Sequence, residues 1–154
     1  IRDFGDWSVN QFVIHSKDGG MDNCVYLLYC GEKTATLTKP TGHAEDPDCS
    51  SLRLIQVIDG KATLIGKAKV ELKRGKAYNV KITSLNNRIE VSIGAKRTGD
   101  MSTVISAQAS QEVSSGMTFI KGYQSDLWLD NVMLSNSAVR SNNVYEGSLY
   151  AVKE

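Results

Sequence analysis

Residues 75–93, GKAYNVKITSLNNRIEVSI, alternate apolar and polar side chains with a period of two, and no other stretch constrains the fold as tightly. Tyr78, Val80 and Ile82 fall on one side and Asn79, Lys81 and Thr83 on the other; beyond Leu85-Asn86-Asn87, Ile89, Val91 and Ile93 repeat the pattern against Arg88, Glu90 and Ser92. Such alternation belongs to a β-hairpin with one buried face and one wet face. The two asparagines suit its tight connection, because Asn tolerates the left-handed backbone that short hairpin loops require.

The remaining chain carries the same punctuation. Residues 4–16 read as a turn followed by a strand, with Trp7, Val9 and Gln11 on one face and Phe12 and Ile14 on the other. Lys17-Asp18-Gly19-Gly20 is a turn signal, and CVYLLYC at 24–30 is a continuous apolar run suited to a central strand. Residues 31–50, with two prolines and Glu45, Asp46 and Asp48, read as a long loop containing a candidate edge strand at 34–38. In SLRLIQVI at 51–58, Leu52 and Leu54 point inward and Arg53 opposes them; Asp59-Gly60 then makes a hairpin turn. Short strands are expected at 62–65 and 68–72 around Gly66, then at 102–107, 117–120, 126–135 and 144–152, with a turn at 122–125. No amphipathic helix of three turns is visible. Many short strands separated by turns predict an all-β antiparallel sandwich or barrel.

With 154 residues, 41% of them hydrophobic, the chain has the size of one domain and can bury roughly 70% of its unfolded surface. The net charge of +1 gives no global footprint for nucleic acid, and no apolar run approaches the roughly 20 residues that span a bilayer. A start at Ile1 reads as a processed chain or a domain excised from a larger protein. The sequence contains three cysteines. A continuous strand at 24–30 would hold Cys24 and Cys30 about 20 Å apart, beyond disulfide reach, which leaves Cys49 as the available partner of either. Three free thiols in a reducing compartment is the competing reading.

Four pieces in order, SLRLIQVIDGKATLIG, LKRGKAYNVKITSLNNRIEVSIG, EVSSGMTFI and DLWLDNVMLS, resemble the concanavalin A-like lectin/glucanase superfamily, and within it the laminin-G-like jelly rolls. The resemblance covers rather more than half the chain and implies two curved antiparallel sheets whose rim loops bind glycans in many relatives. It carries no mechanism. Catalytic relatives pair carboxylates in an E-x-D-x-x-E run, as glycosidic cleavage requires, and this chain has no such run. Ala77 also stands where relatives often have Trp.

Several residues admit both a functional and a structural reading. Asp6, Asp126 and Asp130, with Asp3 and Asn131 nearby in sequence, are candidate calcium ligands or simply turn-capping groups; Glu45, Asp46 and Asp48 form a second oxygen-rich group. His15 and His43 lack zinc-ligand spacing to the cysteines. Asn79, Lys81, Arg88 and Glu90 are either sugar-facing hydrogen-bonding groups or an ordinary solvated sheet surface. Tyr123, expected in an exposed turn, is the first candidate for sugar stacking; Trp128, between two leucines, is expected in the core. Lys61, Lys67, Lys69, Lys73, Arg74 and Lys76 form a basic arc that suits an acidic polysaccharide or an anionic cell surface, although lysines that protect a sheet edge from aggregation are the favoured reading. The leading expectation is a non-catalytic extracellular recognition module for a glycan or glycosylated partner, with calcium as candidate cofactor. The alternatives are a polysaccharide-acting hydrolase or lyase and a structural or protein-adhesion domain of a surface protein.

Overall fold

The computed structural model describes residues 1–3, 9–30, 52–70, 72–73, 75–95, 100–123, 127–130, 132 and 134. They form an all-β antiparallel sandwich. Four strands, β2 (Val9–Ser16), β3 (Cys24–Cys30), β4 (Leu52–Ile58) and β5 (Lys61–Ala68), follow one another as neighbours in a five-stranded sheet. The chain then crosses to a three-stranded sheet of β6 (Tyr78–Leu85), β7 (Arg88–Ala95) and β8 (Ser102–Gln108), and returns through the 3-10 turn Gln111–Val113 to β9 (Met117–Tyr123), which pairs with β2. Two-residue strands β1 (Arg2–Asp3) and β10 (Leu127–Trp128) pair separately. Ile1 and Tyr78 exchange both backbone hydrogen bonds, at 2.6 and 2.9 Å, so the chain entering β1 lies against the start of β6.

The hairpin read from the sequence is β6–β7. Asn86 and Asn87 take φ of 49° and 64°, and Asp59 and Gly60 take 49° and 73° in the β4–β5 turn. Positive φ at both central positions matches the right-handed twist of the flanking strands, which explains why Asn and Gly stand there. The β2–β3 connection closes on itself through Lys17 N–H to the Asn23 carbonyl (3.0 Å) and Ser16 Oγ to the Gly20 carbonyl (2.7 Å). It also locks onto the neighbouring turn: Gly60 N–H donates to the Asp22 carbonyl and Asp59 N–H to Asn23 Oδ1.

The inter-sheet core contains Ile14, Val25, Leu27, Leu52 and Leu54 from the larger sheet and Ile89, Val91, Ile93 and Ile105 from the smaller. Polar struts cross it as well. His15 Nε2 lies 2.8 Å from Ser84 Oγ, and Gln56 Oε1 accepts from Ser110 N–H at 2.6 Å where the 3-10 turn begins. A second buried cluster covers the other face of the larger sheet, with Val9, Val13, Tyr26, Leu28, Ile55 and Val57.

Several strand expectations require correction. Residues 61–68 form one bulged strand rather than two around Gly66, and Lys69, Val70 and Leu72 are not in strand. The glycine serves packing: a Cβ there would sit 2.6 Å from Ile105 Cγ2 of β8, so its absence lets β5 approach the opposite sheet. β9 runs on through Tyr123, past the start of the turn expected at 122–125. Of the strand expected at 126–135, the described residues show a two-residue strand at Leu127–Trp128 and an isolated bridge at Leu134. Trp128 is 67% exposed rather than buried, because its strand is short and peripheral to both cores. Arg53 does oppose Leu52 and Leu54, yet it is fully buried, since the second face of the sheet is covered too. The expected edge strand at 34–38 and the last strand at 144–152 lie outside the described residues.

Candidate functional site

The outer face of the three-stranded sheet carries four of the sequence candidates. Pairing sets Lys81 opposite Ser92 and Ser92 opposite Thr103; the next rows are Thr83, Glu90 and Ser106, then Leu85, Arg88 and Gln108, while Asn79 faces Gly94. Asn79, Lys81, Arg88 and Glu90 therefore share one side, as the alternation predicts. They do not converge on a point. Arg88 Nε donates to Glu90 Oε1 at 3.0 Å, so these two groups engage each other, and Ser92 and Thr103 hydroxyls meet at 3.1 Å. The Arg88 and Glu90 side chains are 63% and 39% exposed, where such a pair is worth little to stability. The face is a shallow polar plane.

A second region is the β1–β10 ladder. Arg2 pairs with Trp128 and Asp3 with Leu127. Trp128, Asp130, Val132 and Leu134 are all exposed, and Leu127 and Leu129 are half-buried. An indole thus stands at the surface beside a carboxylate in the same segment. Asp130 is the one member of the Asp6, Asp126 and Asp130 set inside the described residues. Among those residues, no group of three or more His, Cys, Asp or Glu gathers to hold a metal. Glu45, Asp46, Asp48, His43 and Asn131 also lie outside them. Tyr123 closes β9 opposite Val9, and its side chain is not described.

Sequence reasoning missed a third place. Ile1, Tyr29, Leu72, Lys73, Lys76 and Tyr78 line a small apolar recess, with room for no more than about one water molecule, at the crossover from β5 to β6. Tyr29 projects from the inner side of β3, Tyr78 opens β6, and the backbone N–H of Lys73 donates to the Tyr78 hydroxyl oxygen at 2.8 Å. That bond fixes the phenol ring over the loop. The lysines were visible in the basic arc, but no local pattern showed that two tyrosines from different sheets would meet beside them. Lys61, Lys67, Lys69, Lys73 and Lys76 are exposed; Arg74 lies outside the described residues.

Burial shifts His15, Cys24 and Tyr26 towards their neutral forms. Burial lowers the pKa of half-buried His15, so the imidazole facing Ser84 favours its neutral form. Cys24 is a free, buried thiol pushed up to about 11 by burial and then by Asp18 and Asp22. Tyr26 is pushed up to about 12 by burial first and by Cys24 second. Its buried hydroxyl closes no hydrogen bond of good geometry, although the nearby Gln11 side chain offsets part of the shift. Cys30 is disulfide-bonded, so the all-thiol reading fails, and Cys49 lies outside the described residues.

Comparison with family models, curated proteins and solved structures finds no match to this chain.

Proposed function

We propose that this chain is a non-catalytic, extracellular recognition module that binds a glycan or glycosylated partner, as its resemblance to concanavalin A-like sandwiches implies. The observation that carries the reading is Trp128, 67% exposed on β10 with Asp130 two residues on. An exposed indole offers an apolar platform to the C–H face of a pyranose, and a neighbouring carboxylate accepts from sugar hydroxyls. The disulfide at Cys30 supports an oxidising compartment. Calcium remains the candidate cofactor, with Asp130 as the described member of its expected ligands.

The test is a glycan array probed with calcium and again with chelator, using the wild type and Trp128→Ala. The expected result is binding that Trp128→Ala weakens about tenfold, the factor for one lost aromatic stacking contact, without a change in melting temperature. Loss on chelation supports the calcium assignment; unchanged binding in the variant removes Trp128 from the site. A second reading, protein adhesion, is favoured by Val132 and Leu134, which are 41% and 66% exposed in the same segment as Trp128. Binding to no glycan on the array decides for it over the first.

A further inference from the structure

We infer that the outer edge of β6 is a strand-accepting site that takes an extended segment of another polypeptide, apolar at alternate positions and antiparallel to β6. The site goes beyond glycan binding and does not depend on it.

The backbone shows which way the edge faces. Ile1 and Tyr78 exchange both hydrogen bonds, at 2.6 and 2.9 Å, as an antiparallel hydrogen-bonded pair does. Tyr78 N–H and C=O therefore point away from β7, and the alternation of antiparallel pairs turns those of Val80, Ile82 and Ser84 the same way. The two-residue Asn86-Asn87 turn agrees, because it makes Leu85 and Arg88 a hydrogen-bonded pair across β6 and β7. Ile1 fills the first rung. Among the described residues β6 ends its sheet, and no strand pairs with the outward groups of Val80, Ile82 and Ser84.

Proteins blunt edge strands with bulges. Among the edges of the two large sheets, β5, β8 and β9 each pair with their neighbour through a register shift, whereas β6 pairs with β7 in unbroken register from Tyr78 to Leu85. Apolar surface also lies beside this edge. Gly66 against Ile105 sets β5 over β8, and His15 against Ser84 sets β6 towards β2, so β9 extends past the smaller sheet. Phe12 and Ile120, in register on β2 and β9, are half-buried, as are Val80 and Ile82, although Ile93 and Val91 opposite those two are buried. An added strand with alternate apolar residues would cover these side chains. The same overhang selects its source: two copies joined edge to edge at β6 would drive both β9 strands into one layer, so the place admits a single strand and excludes a second sheet. On the wet face Lys81 is exposed, and an acidic residue opposite it gains a cross-strand pair.

The experiment titrates the full chain with a fluorescein-labelled peptide, TVTIEVT, whose glutamate falls opposite Lys81 and whose valines and isoleucine face the core. Binding with added hydrogen-exchange protection of the Val80, Ile82 and Ser84 amides is the expected result. N-methylation at the valines and isoleucine should weaken binding by more than about tenfold, for main-chain hydrogen bonds lost, while methylation at the internal threonine and the glutamate, whose N–H groups face away, should not. Lys81→Glu should lose roughly fivefold and regain it with TVTIKVT. Ser84→Pro, which removes an outward N–H and no β7 ladder bond, should weaken binding with the fold retained on melting. No binding, equal loss with either methylated peptide, or protection elsewhere overturns the proposal. Self-association of the chain that protects the same amides gives the edge to a second copy and also overturns it. None of these outcomes bears on the glycan array, so the two readings fail separately.

Discussion

Replacing Gly66 by alanine tests how closely the two sheets are fitted. The added Cβ would lie 2.6 Å from Ile105 Cγ2, 3.4 Å from Ala107 Cβ and 3.5 Å from Leu54 Cβ. The last two are close to ordinary contacts, whereas the first is about 1 Å too short for two carbons. Ile105 is only 4% exposed and belongs to the same buried cluster as Ile89, Val91 and Leu54, where close packing leaves its branch little room to give way. Overpacking of this kind costs about 1–3 kcal/mol, and alanine returns about 0.5–1 kcal/mol through its lower chain entropy in the unfolded state. The net expectation is a loss of about 1–2 kcal/mol, or about 2–8 °C in Tm for a domain of this size.

A double-mutant cycle assigns the cause. Ile105→Ala alone should cost about 2–5 kcal/mol by opening a cavity between the sheets. In that background the Gly66→Ala methyl enters vacated space, so the two changes should couple by about 1–3 kcal/mol in the favourable direction. Urea unfolding of the four proteins measures this directly. A Gly66→Ala protein as stable as wild type, or strict additivity in the cycle, would refute the close approach of β5 to β8.

Other expectations follow from the interior groups. Because burial lowers the pKa of His15, the unfolded chain takes up the proton first as pH falls from about 6.5; stability is present above that pH and declines as pH drops through the folded pKa. His15→Gln should flatten the stability profile between about pH 6.5 and the onset of carboxylate titration; an unchanged slope would show that His15 does not carry it. With the Cys24 pKa at about 11, the thiol should resist alkylation at pH 8 in the folded protein and react at once in urea. Reducing the Cys30 disulfide should lower stability by about 2–4 kcal/mol, read as a shift of the urea midpoint in dithiothreitol.

The parts of the fold that depend on neighbours a few residues apart were legible. The β6–β7 alternation fixed one face of the smaller sheet, and the Asn-Asn and Asp-Gly turns were read from residue types that accept positive φ. The candidate site was less legible because it is assembled from distant segments. Tyr29 and Tyr78 share a recess across two sheets, and no periodicity connects them. Trp128 shows a related failure: flanking leucines suggested burial, yet burial depends on what stands opposite the strand, and among the described residues β10 has only the two-residue β1 as its ladder partner.

Arg53 shows where a period-two pattern stops being informative. Alternation correctly sets it opposite Leu52 and Leu54, but alternation distinguishes one face from the other and does not say that the second face is wet. The missing information was in β3: CVYLLYC is apolar at every position and buried at every position. A strand apolar on both sides requires two dry faces. Since β4 pairs with β3, and Arg53 stands opposite Leu28, the arginine inherits the dry surroundings of its neighbour. Strand order, which residue composition does not encode, therefore decided whether that charge met solvent, and it governs equally which lysines of the basic arc stand beside the crossover. Lys73 and Lys76 flank Tyr78 only because the chain leaves the edge strand β5 there and crosses to β6. Lys61, in the same arc of sequence, starts β5 at its opposite end.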